Sequence, residues 1–101
     1  MAEMSWIGLI LAIVGAYFAA ERYPEALAAC ERALAEHPEL PFLHTMRAAI
    51  LAQAGRLEEA RQSVAEVKRL QPNFPIAEFG NRFADPAMRD RFQAALRKAG
   101  F

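Results

Sequence analysis

Two histidines, His37 and His44, stand seven residues apart around a loop bounded by Pro38 and Pro41, with Glu36 and Glu39 beside them. Imidazoles and carboxylates brought together in this way would be a ligand set for a divalent metal. Their spacing matches no zinc motif, so the expectation is a solvated loop pair and no metal. Cys30 is the one thiol. A nucleophilic thiol needs a base that lowers its pKa, whereas Cys30 falls on an apolar stripe and reads as a buried, inert side chain. A single cysteine also excludes an internal disulfide framework and a thiolate zinc cluster, which fits a reducing, cytoplasmic setting. The acidic pairs Glu58-Glu59 and Glu21/Glu25 are better read as helix-start charges facing the macrodipole than as a general acid with its base. Arg89, Arg91, Arg97 and Lys98 make a basic end that Asp85 and Asp90 dilute, and no glycine-rich phosphate loop is present. Nucleic acid and cofactors are therefore not expected, and since nucleophile, acid and base never converge, neither is enzymatic activity.

The elements that would have to position any site are helices. A chain of 101 residues is about one small domain, which rules out a two-domain enzyme. Apolar residues make up 54% and charged residues 24%, which excludes disorder over the whole length. Twelve basic and twelve acidic side chains cancel, although the first fifty residues carry three arginines against six carboxylates and the remainder nine basic residues against six. That polarity would orient a partner only weakly. Alternating strand patterns are absent and alanine fills about a fifth of the chain, the composition of closely packed helices.

Breakers at Pro24, Pro38, Pro41, Gly55, Pro72, Pro75, Pro86 and Gly100 leave segments about one helix long. Segment 24 to 36 places Leu27, Cys30, Ala33 and Leu34 on one stripe. Segment 41 to 54 turns Leu43, Ala48, Ile50 and Leu51 inward and ends at Gly55, a left-handed cap. Segment 57 to 70 does the same with Leu57, Ala60, Val64, Val67 and Leu70. The last segment starts at Asp85-Pro86, carries Met88, Phe92, Ala95 and Leu96 on its stripe, and ends at Gly100 after Arg97-Lys98. The first segment differs from all of these. From Met4 to Ala20 there is no charge, and its apolar residues point in every direction around a helix. A secretory signal would open with a basic residue, and a membrane anchor is the alternative to a helix buried by polypeptide on both sides.

A shift of 34 residues brings the halves into register: Arg22 falls on Arg56, Tyr23 on Leu57, Glu25 on Glu59, Ala26 on Ala60, Cys30 on Val64, Ala33 on Val67 and Pro38 on Pro72. This period is that of stacked helical hairpins. On these residues the chain resembles the tetratricopeptide repeat (TPR) family. Repeat one, 7 to 40, has Tyr17, Tyr23, Ala26, Ala33 and Pro38 in place, and repeat two, 41 to 74, has Ala48, Gly55, Leu57, Ala60 and Pro72. Glu21 stands where the first unit should have its turn glycine, Lys68 replaces an apolar residue, and 75 to 101 form a partial repeat with a capping helix. The tail from Phe83-Ala84-Asp85-Pro86 to Gly100 also resembles the closing segment of repeat regions behind bacterial class III adenylate cyclase and transcription-regulator domains.

The resemblance implies an all-α, right-handed superhelical stack of antiparallel hairpins, about two and a half repeats in a single domain over 1–101. It also implies a non-catalytic scaffold whose first helices line a concave groove for a peptide or helix of another protein. The groove would be lined by Leu11, Phe18, Phe42, Thr45, Ala49, Gln53, Ile76, Phe79 and Phe83. A carboxylate clamp is not expected, because Leu11, Gly15, Phe42, Met46 and Ala49 occupy the places of its polar residues, and an amphipathic or aliphatic ligand fits better. The competing expectation is that Phe42, Phe79 and Phe83 pack as core against the final helix. Repeat stacks need polar ends. The last helix meets that need with Arg89, Asp90, Gln93 and Arg97 outward. The first helix does not, which points to self-association, a homodimer first, through Trp6, Ile7, Ile10, Ile13, Val14 and Tyr17. The membrane-anchored adaptor, with residues 4–20 as a transmembrane or interfacial helix, is the alternative.

Overall fold

The computed structural model describes residues 5–75 and 86–100, the side chains of Ser5 and Ile7 excepted. Regular structure among the described residues is entirely helical: α1 (Ser5–Ala19), α2 (Tyr23–Glu36), α3 (Pro41–Gln53), α4 (Leu57–Leu70) and α5 (Pro86–Lys98). Prolines fall where their missing N–H costs least. Pro24 lies in the first turn of α2, and Pro41 and Pro86 open α3 and α5.

The 34-residue period is carried by the backbone as well as by the sequence. Helix α1 ends with the Arg22 N–H donating to Tyr17 O at 2.9 Å and the Glu21 N–H to Phe18 O at 3.1 Å. Helix α3 ends with the Arg56 N–H on Leu51 O at 2.8 Å and the Gly55 N–H on Ala52 O at 3.1 Å. Both are Schellman closures, in which the residue after the helix takes a left-handed conformation so that the last carbonyls find donors. Gly55 has φ 83 and Glu21 φ 60. The first turn therefore keeps the glycine geometry after losing the glycine. Glu21 belongs to the end of α1, which corrects its reading as a helix-start charge. The residues that follow also match. Arg22 has φ −94 and ψ 70, and Arg56 φ −93 and ψ 66. Each reaches the glutamate three residues on, Arg22 Nη2 to Glu25 at 2.6 Å and Arg56 Nη2 to Glu59 at 2.6 Å. These guanidiniums hold the Glu25 and Glu59 carboxyls below the ordinary carboxylate range. The loops after α2 and α4 repeat too, with the Leu40 N–H on His37 O and the Phe74 N–H on Gln71 O.

Two antiparallel hairpins, α1–α2 and α3–α4, stack through α2 against α3. Ala26 and Ala60, equivalent in the period, are both fully buried, as small residues must be where helices approach closely. Helix α3 is the centre of the domain. Beyond the expected Leu43, Ala48, Ile50 and Leu51, it also buries Thr45, Met46, Ala49 and Ala52. Thr45 meets its hydroxyl's need locally, donating to Pro41 O at 3.0 Å. Arg47 ties three helices together: its Nε donates to Glu31 of α2 at 3.2 Å and its Nη1 to the buried Ser63 of α4 at 2.7 Å. Leu27, Leu34, Leu57 and Leu70 are only half-buried, at the edges of their helices' inner faces.

Helix α5 buries the expected Met88, Phe92, Ala95 and Leu96. It closes the domain by packing chiefly against α3, the first helix of the second hairpin. From there it also reaches the end of α1: Phe92 lies 5.5 Å from Phe18, ring centre to ring centre. The sequence pattern shows which face of α5 is buried, but it carries no address for the surface that buries it. No helix among the described residues is long and apolar enough to cross a membrane. Helix α1 spans 15 residues and packs along α2.

Candidate functional site

The residues first considered for chemistry are spent on structure. His44 Nε2 lies 2.8 Å from Pro38 O, which fixes the loop between the hairpins. His37 stacks on Trp6, with ring centres 4.4 Å apart and planes 16° from parallel. The imidazoles thus serve different neighbours, and no three His, Cys, Asp or Glu residues gather into a metal-ligand group among the described residues. Cys30 is buried, with its thiol donating to Leu43 O at 3.2 Å. Burial pushes its pKa up to about 12, the condition of a thiol that neither attacks nor coordinates at neutral pH.

Two surfaces among the described residues carry the side chains expected to meet a partner. The first is the side of α1 away from its buried Val14 and Phe18. Trp6, Ile10 and Tyr17 are half-buried there, while Leu9 and Ile13 stay 62% and 37% exposed. Together they form an apolar strip over two adjoining clefts against α2. One is lined by Trp6, Leu9 and Ile10 with Arg32 and Glu36, the other by Ile10, Ile13 and Tyr17 with Glu25 and Arg32. The polar border thus carries both signs of charge. Val14, expected on this strip, is only 1% exposed and faces the core. A helix that is apolar all round gives no sequence signal of which face turns inward. The side chain of Ile7 lies outside the described residues.

The second surface is the side of α3 opposite Arg47. At about 100° per residue, Phe42, Thr45, Ala49, Ala52 and Gln53 fall roughly 140–240° around the helix from Arg47, whose contacts mark the direction of α2 and α4. Of the nine expected groove residues, Phe42, Thr45, Ala49 and Gln53 lie on this side, with Phe42 and Gln53 half-buried and Thr45 and Ala49 fully buried, while Leu11 of α1 is half-buried. Phe18 is fully buried as well, with Phe92 and Tyr23 against its ring. Ile76, Phe79 and Phe83 lie outside the described residues. Phe18, Thr45 and Ala49 therefore stand closed to solvent, and α5 packs on α3 with Phe92 against Phe18.

Arg91 was not singled out for this surface, yet it makes the contact that fixes α5. Its guanidinium donates to Phe18 O and Ala19 O, each at 3.2 Å, and lies 5.4 Å from the centre of the Phe18 ring. The last carbonyls of a helix carry partial negative charge, so a cation at this end is favourable. The visible sequence signal was an arginine beside the aromatic of the apolar stripe.

A profile of the tetratricopeptide repeat matches residues 17–78, which span α2, α3 and α4 and the paired turns at Glu21 and Gly55. The chain belongs to the tetratricopeptide repeat family. Its TPR units are of the kind that serves as interaction modules. A curated relative, the TPR repeat-containing thioredoxin TTL4 of Arabidopsis thaliana, is 46% identical over 55 residues, or 54% of this chain. The chain spans 8% of that protein's length, so the likeness is one of repeat to repeat. No solved structure gives a significant match. The resemblance of the tail to the region behind adenylate cyclase and regulator domains is not among these findings.

Proposed function

We propose that this TPR domain is a non-catalytic protein–protein interaction scaffold of the cytoplasm that self-associates through the outer face of α1 and receives a helix along α3. The single observation that carries the reading is the strip of Leu9 and Ile13, exposed between the half-buried Trp6, Ile10 and Tyr17. Each such side chain gains about 1.5–3 kcal/mol on full burial, which favours a cover over the strip.

A second copy of the chain suits this face. In a twofold pair the same patch meets itself, so an apolar strip bordered by Arg32 on one hand and Glu25 and Glu36 on the other brings each arginine toward a carboxylate of its mate. Static light scattering at tens of micromolar tests it. The native chain should run as a dimer and Ile13→Glu as a monomer of unchanged helicity. A well-behaved native monomer in the absence of detergent would sink the proposal.

A further inference from the structure

Along α3 the fold already displays the kind of ligand that its groove takes. Residues Ala48 to Ala52 are all buried, and five consecutive positions cover more than a full turn of helix. Helix α3 must therefore be enclosed on every side. α2 and α4 account for the side to which Arg47 points, and α5 packs on α3 as well. Thr45 and Ala49, opposite Arg47, are small, as a surface that admits another helix closely must be. Helix α5 packs on α3 and against Phe18 of α1, and it turns Met88, Phe92, Ala95 and Leu96 inward, an i, i+4, i+7, i+8 set, with Arg91 immediately before the aromatic. The arginine adds a polar check to the apolar fit, since it finds the carbonyl end of α1 only when Phe92 is against Phe18.

We propose that α5 is a resident and displaceable occupant of the α1–α3 groove, and that the partner this groove accepts is an amphipathic helix of the same pattern, apolar at i, i+4, i+7 and i+8 with an arginine at i+3. The inference rests on the reading of this face as a partner groove. The hairpins α1–α2 and α3–α4 are joined to each other through α2 and α3, so the stack does not depend on α5 for its connection. Opening of α5 leaves the α2–α3 contact in place and uncovers Phe18, on which Phe92 and Arg91 lie. The apparent affinity for a partner helix is then its intrinsic affinity reduced by the fraction of molecules in which α5 is out.

The test uses the full chain and a fluorescent peptide with the sequence of residues 86–100, followed by anisotropy. The native chain should bind the peptide weakly. Arg91→Ala in the chain, which loosens α5 without emptying the core, should bind the native peptide about tenfold more tightly, and a peptide carrying Arg91→Ala should lose that gain. Phe92→Ala in the chain should lose only the helicity of α5 and bind at least as well as Arg91→Ala. Collapse of the whole domain in Phe92→Ala, together with no gain in folded Arg91→Ala, overturns the proposal by making α5 an inseparable part of the core. Hydrogen exchange separates two further failures. Amides of α5 that open no sooner than those of α3 refute the displacement. Amides of α5 that open early in Arg91→Ala while the peptide still does not bind refute the groove reading beneath it. Neither result touches dimerisation through α1, which Ile13→Glu reads independently.

Discussion

Replacing Glu21 by glycine should stabilise the domain, because the residue occupies a conformation that its own side chain resists. Glu21 has φ 60 at the turn where its counterpart 34 residues on is Gly55, at φ 83. A side-chain-bearing residue in the left-handed region costs about 1–2 kcal/mol. Its exposed carboxylate also stands at the negative end of α1, a placement worth roughly 0.3 kcal/mol or more against it. Glycine removes both terms but gives the unfolded chain more freedom, which returns about 0.5–1 kcal/mol. The net gain is about 1 kcal/mol, or roughly 4–8 °C in the melting temperature of a domain this size. Thermal unfolding followed by circular dichroism measures it, with urea denaturation at constant m-value as the check. Gly55→Ala is the mirror experiment. A Cβ at Gly55 would meet nothing within 4 Å, so its expected loss of about 1 kcal/mol comes from the backbone alone. If Glu21→Gly left the melting temperature unchanged or lowered it while Gly55→Ala destabilised the chain, the equivalence of the two turns would fail as an energetic argument.

Arg47→Ala should cost about 1–2 kcal/mol in chemical denaturation, because it removes the partner of the buried Ser63 hydroxyl and cuts the tie from α2 to α4. A loss no greater than that of an exposed arginine such as Arg32 would show the tie to be incidental. Ala60→Leu, at a site with no exposed surface, should destabilise by about 1–3 kcal/mol through overpacking, read as a lower denaturation midpoint. Cys30 should resist thiol reagents in the native state at pH 8 and react at the rate of unfolding. Its pKa rises from an ordinary 9.0 to about 12 on folding, so the unfolded chain sheds this proton first, and stability should fall as pH climbs from 9 toward 12. A native thiol that labels within seconds at pH 8 contradicts its burial.

Proline and glycine positions bounded the helices well: Pro41 and Pro86 open theirs and Gly55 closes α3. The candidate surfaces were legible only in part. Of the residues expected on the α1 strip, Trp6, Ile10, Ile13 and Tyr17 lie along it, Val14 turns inward, Ile7 has no described side chain, and the exposed Leu9 was not among them, since a segment without polar residues has no preferred outer face. Thr45 and Ala49, expected to line an open groove, are fully buried. Arg47 and Arg91 passed unremarked as structural residues because their partners, Glu31, Ser63 and the carbonyls of Phe18 and Ala19, are sixteen or more residues away.

What the sequence determined by itself was everything set by short-range geometry and by repetition. Helix limits follow from where the chain lacks an N–H or needs a positive φ, and the 34-residue period follows from hairpins that bury one another. Only the tertiary structure decided that α5 lies on α3 and touches α1 and that Val14 turns inward. An apolar stripe specifies that a face is removed from water, and the hydrophobic effect has no direction by which to say against what.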